Sequence, residues 1–401
     1  MTTAFDPKMN RTAVANRIRP FQESLWLEID DVLAKYPNVV YFGNGAPGKS
    51  LMPADRLAEA TAAAWQEGNA MLSYGETEGY KPLRELISRR MSQIKATVDP
   101  DEILIINGSQ EGMDIVGRTL IDPGDYVLVD APVFPDAIRL YESHGATVIG
   151  MPIDAEGVIV DQVRSILDGL PAKPKFIYTI PTFQNPSGVT MTLERRQDLV
   201  NLARERDILL VEDDPYSAYR YEGETLPALR GLDPSVVYLG TFSKTIAPAL
   251  RVGWICAPYP LYDQFFAVKE VMSIGNDRVM PRVVYHAAEG FLDKHIAWAR
   301  EQYRLRRDTL IAGLSAHLPA EATWVTPQGG FFVWVELPET IDTDSLLEVA
   351  ASEHGVVFLP GSWFYPGRTK HNFFRLSFSA LEPEELAEGA RRIGETLKAT
   401  M

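Results

Sequence analysis

The stretch Val236-Val237-Tyr238-Leu239-Gly240-Thr241-Phe242-Ser243-Lys244-Thr245, followed by Arg251, joins an apolar run to a cluster of hydroxyls, one amine and a guanidinium. The apolar run reads as a buried strand. Lys244 then falls just beyond the carboxyl end of that strand, where open α/β sheets hold their ligands. An amine placed there can be desolvated and have its pKa lowered, leaving the free base that forms a Schiff base with an aldehyde. The hydroxyls and guanidinium around it suit a phosphate. Read alone, the segment also fits a solvated lysine in a loop, so the rest of the chain decides.

Around this stretch the chain alternates. Short apolar runs at Ile103 to Ile106, Tyr126 to Val129, Phe176 to Ile180, Ile208 to Val211, Val236 to Leu239 and Val252 to Cys256 are separated by longer helical stretches such as Leu193 to Arg206. That pattern predicts a doubly wound, mostly parallel sheet. From Asp293 onward it changes to a long helix through about His317, a strand at Phe331 to Leu337, a helix near Asp344 to Glu353, short runs at Val356 to Leu359 and Phe373 to Phe378, and a closing helix after Pro383. The expected division is an N-terminal arm and part of a small domain over residues 1–48, a large cofactor-binding domain over 49–292, and a small α+β domain over 293–401. A chain of 401 residues exceeds the size at which single cores stop growing, so two domains are expected.

Composition narrows the function classes. No apolar run reaches the ~20 residues of a membrane span. Met1 to Pro20 lacks the apolar centre of a secretory signal, which predicts a cytoplasmic protein. A net charge of -15 argues against nucleic acid or an anionic membrane as the main partner. One cysteine, Cys256, excludes an intrachain disulfide and reads as core, and six histidines without ligand spacing argue against a protein-built metal site.

Polar punctuation follows several of the predicted strands. Asn107-Gly108-Ser109-Gln110 opens a helix whose first N–H groups and dipole can seat a phosphate, with the Ser109 hydroxyl added. Asp130-Ala131-Pro132-Val133-Phe134-Pro135 fixes the backbone around an aromatic ring that can lie against a planar ligand. Asn185 supplies a neutral amide, and Asp213 and Tyr216 supply a carboxylate and a phenol. Phosphate seat, aromatic plate, amide, carboxylate, phenol and amine together fit pyridoxal 5'-phosphate. The carboxylate would keep the pyridine nitrogen protonated, Asn185 and Tyr216 would bond the phenolic oxygen, and Lys244 would form the Schiff base and then carry the substrate α-proton.

On these residues the chain resembles the class I/II aminotransferases of pyridoxal-phosphate fold type I, in particular the aminoadipate and kynurenine-like broad-range branch. The resemblance runs from about Tyr41 to the end and rests on motifs in the family's order. They are Gly43-Asn44-Gly45-Ala46-Pro47, Tyr74-Gly75-Glu76-Thr77-Glu78-Gly79, Gly108-Ser109-Gln110, Asn185-Pro186-Ser187-Gly188, Asp213 with Tyr216, Ser243-Lys244 with Arg251, and Phe374-Arg375-Leu376-Ser377-Phe378. It implies a ping-pong transfer of an amino group between an L-amino acid and a 2-oxo acid. The implied cofactor contacts include Ser109, Gln110, Phe134, Asn185, Thr241, Ser243 and Arg251. Arg375 would grip the substrate carboxylate, with Gly45 approaching by its backbone. Tyr74 would reach the cofactor phosphate of a neighbouring subunit in a homodimer with composite sites. Phe134 stands where the family usually has a tyrosine, which keeps stacking and loses a hydroxyl contact.

The segment Ser273-Ile274-Gly275-Asn276-Asp277-Arg278 departs from the branch's usual sequence, making Asp277 and Arg278 candidates for selecting a charged substrate side chain, with Arg17 and Arg19 as weaker ones. Three other readings stand beside transamination. The same chemistry serves β- or γ-elimination, replacement, cyclisation or amine oxidation, which these residues do not distinguish. Gly43-Asn44-Gly45-Ala46-Pro47-Gly48-Lys49-Ser50 matches the nucleotide-binding P-loop pattern, although Pro53 is expected to start the next helix only after an interval. A transcription regulator on this fold would need a DNA-binding domain, for which the residues before Tyr41 leave no room.

Overall fold

The computed structural model describes residues 15–18 and 24–400, and Arg19 lies outside them. The main sheet has eight strands. In spatial order they are Ile103–Ile106, Gly253–Cys256, Val237–Thr241, Leu209–Asp214, Phe176–Thr179, Tyr126–Ala131, Thr147–Asp154 and the short Gly157–Val158. The run from Val237–Thr241 to Thr147–Asp154 is parallel throughout, while Gly253–Cys256 is antiparallel to both its neighbours. The expected mostly parallel sheet is therefore present. Thr147–Asp154, whose exposed and half-buried positions break the apolar run, is a parallel strand that the pattern reading passed over.

The central strands are buried on both faces, which is why they read as continuous apolar runs rather than alternating ones. Alternate residues enter different cores. Val127, Val129, Phe176, Tyr178 and Val211 pack with Met113, Val116, Tyr141 and Phe265 on one face. Leu128, Ile177 and Leu210 pack with Val163, Leu199 and Leu202 on the other. Helices thus cover both sides, as a doubly wound sheet requires.

A second, antiparallel sheet orders Thr323–Trp324, Phe332–Glu336, Phe373–Ser377 and Leu359–Pro360. Val333, Val335, Phe374 and Leu376 share a core with Leu310 and Leu314 of the 26-residue helix Leu292–His317, with Leu386, Ile393 and Leu397 of Pro383–Thr400, and with Leu25 and Ile29 of Leu25–Lys35. Val40–Tyr41 pairs in parallel with Val356–Val357, away from the main sheet. That pairing disposes of the P-loop reading. Lys49-Ser50 lie on a single 3-10 turn, the next helix begins at Ala54 after Pro53, and Ser50 Oγ donates to Glu382 Oε1 at 2.7 Å. No described helix is long and apolar enough to cross a membrane.

Candidate active site

The carboxyl ends of the parallel strands converge on one cavity of about 450 Å³, within the range of small-ligand sites. Its walls carry Ser109, Gln110, Phe134, Asn185, Asp213, Tyr216, Thr241, Ser243, Lys244 and Arg251 from the main sheet's edge, and Gly45 and Arg375 from segments that belong to the second sheet's side. Every residue expected to touch the cofactor or the substrate carboxylate, except Tyr74, is thus brought to one place. Trp26, Tyr41, Ile180 and Phe332 also line it, and the motifs do not single these out.

Lys244 sits half-buried, its Nζ donating to Gly45 O at 3.0 Å. Burial, then the nearby Arg375 guanidinium, bring its pKa down to about 8, with Asp213 opposing and Arg251 adding to the fall. An amine with that affinity is a free base in a useful fraction near neutrality.

Asp213 and Asp214 are adjacent on one strand and so face opposite ways. Asp213 turns to the cavity, while Asp214 accepts from Ser217 N at 2.9 Å and from Tyr238 Oη at 2.9 Å and does not line it. One oxygen of Asp213 accepts from Tyr178 Oη at 2.7 Å, whereas Oδ1 is buried without any partner. Burial raises the Asp213 pKa to about 7, against the lowering effect of the Tyr178 hydrogen bond. A buried carboxylate oxygen without a partner, on a residue that lines the cavity, suits a cationic N–H donor.

At the cavity's other end Ser109 begins the helix Ser109–Leu120, whose first N–H groups have no partner inside the helix. Gly108 caps it at φ 82°, and a Cβ there would lie 2.5 Å from Arg251 Nη2. The guanidinium is parked against that turn by donating to Asn107 O at 2.9 Å. Arg251 itself holds φ 51°, a left-handed conformation uncommon outside glycine. Thr241 Oγ1 donates to Ser243 Oγ at 2.9 Å and keeps both hydroxyls at the same edge. Helix N-terminus, guanidinium and hydroxyls could seat a phosphate, and with the unpartnered Asp213 oxygen and the amine the residues fit pyridoxal phosphate.

Arg375 is 2% exposed, donates from Nη1 to Asn185 Oδ1 at 2.9 Å and from Nη2 to Gly43 O at 2.7 Å, and lies 4.3 Å over the Phe332 ring. Its Nε has no partner, and among the described residues it pairs with no carboxylate. Burial pulls its pKa down to about 10. Such a group is poised for an anion from outside the chain.

The charge-selecting candidates lie elsewhere. Asp277 Oδ1 accepts from Val279 N at 2.6 Å and Met280 N at 3.0 Å, as a helix-entry cap. Arg278 donates to Tyr74 O at 3.0 Å and pairs with Glu76 at 3.4 Å. Neither lines the cavity, and Arg17 is an exposed residue that does not line it either. The Asp277 and Arg278 positions are set by local capping and by the Tyr74 loop, so within this chain they do not border the side-chain space. Tyr74 is 82% exposed and does not reach the cavity of its own chain. Trp26 escapes a reading of motifs because its signal is tertiary: its Nε1 donates to both oxygens of Asp136, at 3.1 and 3.0 Å, across 110 residues of sequence.

The chain is similar to known proteins along most of its length. The family model for aminotransferase class I and II matches residues 37–393. An aromatic-amino-acid aminotransferase of Thermococcus litoralis is 36% identical over 377 residues, covering 92% of this chain and 90% of the relative. The crystal structure of a multiple substrate aminotransferase from Thermococcus profundus superposes with a TM-score of 0.91 at 34% identity, over 97% of this chain and 98% of that one. An α-aminoadipate aminotransferase of Thermus thermophilus, complexed with N-(5'-phosphopyridoxyl)-L-leucine, gives 0.89 at 31% identity over 97% and 98%. The chain belongs to the class I and II aminotransferases, pyridoxal-phosphate enzymes that transfer amino groups.

Proposed function

We propose that this protein transfers the amino group of an L-amino acid to a 2-oxo acid by a ping-pong cycle in which Lys244 is the Schiff-base lysine. The observation that carries the reading is that Lys244, Asp213 with one carboxylate oxygen unpartnered, and the carboxylate-free Arg375 line one cavity. The bound cofactor supplies an aldehyde and a protonated ring that withdraws electrons from the substrate Cα. Asp213 would hold the ring nitrogen's proton through Oδ1. Asn185 and Tyr216 would address the ring's phenolic oxygen. Tyr216 is buried and its phenol is held in the protonated state by that burial, as a hydrogen-bond donor must be. Ser109, Gln110, Thr241, Ser243 and Arg251 would seat the phosphate, and Phe134 would lie on the ring face. Arg375 would bind the substrate carboxylate with Gly45 close by. Released from the cofactor by substrate, the Lys244 amine would take the α-proton and return it.

Lys244→Ala tests this directly. Turnover should vanish while the apoprotein folds and still binds the cofactor without a covalent link to it. Retained turnover would refute the role.

The donor side chain would meet Trp26, Tyr41 and Phe332, and among the described residues no free charge is left in the cavity after those assigned above. This supports an aromatic or large apolar amino acid as donor. A panel of amino acids in single turnover, without added oxo acid, tests the assignment. Release of a leaving group or ammonia, in place of one equivalent of 2-oxo acid, would instead mean elimination or a related reaction.

The proposal includes a homodimer in which Tyr74 enters the partner's site. Tyr74, Leu72, Val271 and Ile274 are all strongly exposed, and Arg278 and the stretch near Gly275 pack on the Tyr74 loop, so an apolar surface collects beside that residue. A cofactor-binding unit over residues 49–292 and a smaller unit over 293–401, joined by residues from 1–48, is part of the same reading; the clusters around each sheet support it, while a further cluster that packs Tyr303, Phe331 and Phe332 with Ile103 and Trp254 crosses the boundary.

A further inference from the structure

We propose that Tyr178 is a positioning residue for Asp213: its hydroxyl occupies one carboxylate oxygen so that the other is presented, charged, to the pyridine nitrogen. This rests on the reading that Asp213 faces that nitrogen. Tyr178 belongs to the strand Phe176–Thr179, next to Leu209–Asp214, with Tyr178 opposite Val211. Val211 and Asp213 lie two residues apart and so share a sheet face, and from beside Val211 the phenol reaches up that face to Asp213 Oδ2 at 2.7 Å. Both residues are buried, Tyr178 completely.

Among the described residues Tyr178 is the one hydrogen-bond donor to the Asp213 side chain. Beside Tyr178 stand the rings of Tyr141 and Phe176, edge-on to each other at 5.0 Å, with Tyr141 also edge-on to Tyr178 at 5.7 Å. Such a wall is apolar and tightly packed, with little room for water. The Tyr141 hydroxyl is itself unpartnered and makes no hydrogen bond to Asp213. The charged groups that act on Asp213 are Asp214, which opposes its ionisation, and Lys244, which favours it. Those that act on Tyr178 are Asp213 and Asp130, with Tyr141 beside them. Without the Tyr178 donor, burial and Asp214 both favour the neutral acid, and the proton shared with the ring nitrogen moves toward oxygen. The Tyr178 hydroxyl therefore acts by keeping that proton on nitrogen. Among the described residues, Asp213 is the one hydrogen-bond partner that this hydroxyl has.

The test is Tyr178→Phe, which keeps the ring and removes one oxygen, studied as holoenzyme loaded with cofactor labelled with 15N at the ring nitrogen. The 15N chemical shift should move from the protonated toward the neutral pyridine value. The equilibrium change should be roughly ten- to a hundredfold, that of one hydrogen bond to a charged group. The rate of α-proton removal should fall by a similar factor with KM for the amino acid little changed. Asp213→Asn is measured alongside. If Asp213→Asn moves the shift and Tyr178→Phe leaves it unchanged, the positioning role is overturned while the Asp213 assignment stands. If Asp213→Asn also leaves it unchanged, the placement of the ring nitrogen is itself wrong and the inference falls with it. Urea unfolding of both variants separates lost packing from lost positioning, because a purely structural role would lower stability without moving the 15N signal.

Discussion

Arg375→Lys keeps the positive charge and removes the planar fork. In the structure the guanidinium commits Nη1 to Asn185 and Nη2 to Gly43 O, at 2.9 and 2.7 Å, and holds Nε open. Each Nη keeps a second N–H beside the open Nε, so an incoming carboxylate can take two charge-assisted bonds without displacing these partners, each bond contributing on the order of 1.5 to 3 kcal/mol. A lysine amine retains one of the two, so kcat/KM for an amino acid should fall by roughly ten- to a hundredfold; Arg375→Ala, losing both, should fall by roughly 10² to 10⁴. The informative assay compares an amino acid with the amine that has the same side chain and no carboxylate. Wild-type enzyme should prefer the amino acid strongly, and the preference should collapse by those factors in the variants, with the amine's own rate little altered. An undiminished preference in Arg375→Ala would refute the carboxylate role and send the search to another cation at the cavity.

Further expectations concern the other parts of the site. Gly108→Ala forces a side chain into a φ of 82° with its Cβ 2.5 Å from Arg251 Nη2, so it should cost about 1 to 2 kcal/mol in stability and weaken cofactor binding, read by fluorescence titration of the apoprotein. The Lys244 pKa, about 8 in the fold against 10.5 ordinarily, means that the unfolded chain binds the extra proton between those values. Apoprotein stability should therefore rise with pH across that window. In Lys244→Met this rise should be smaller and stability near pH 7 higher, by at most about 3 kcal/mol; a difference from wild type that is constant with pH would sink the argument. Charging the exposed apolar surface with Val271→Asp and Ile274→Asp together should shift the protein from dimer to monomer in analytical ultracentrifugation, and unchanged association would place the interface elsewhere.

Much of this site is legible in the linear chain because its parts are local. A strand whose end carries Asp213, or that is followed by a turn carrying Ser109, Asn185 or Lys244, delivers that residue to the strand's carboxyl end wherever the strand sits. Alternation puts Asp213 and Asp214 on opposite faces once the strand is accepted, and the choice of Asp213 between them comes from the family resemblance. The 26-residue helix Leu292–His317 and the helix Thr343–His354 are legible for the same reason, as is the start of the helix after Pro53. Asp277 shows the limit. Its sequence neighbourhood suggests a pocket rim, and a helix-entry cap takes its carboxylate instead.

Residue types, turn chemistry and hydrophobic period, all properties of a few consecutive positions, determined that this chain forms a mostly parallel sheet whose edge carries an amine, a carboxylate and a helix N-terminus with hydroxyls and a guanidinium beside it. The tertiary structure alone decided what stands behind and across from them: Tyr178 on Asp213, Asn185 and Gly43 on Arg375, Trp26 on Asp136, and the antiparallel turn of Gly253–Cys256 within the sheet. Those contacts join positions between 35 and 332 residues apart in the first two cases. They depend on strand order and register, which are set by the joint burial of every strand at once and leave no mark in any single segment.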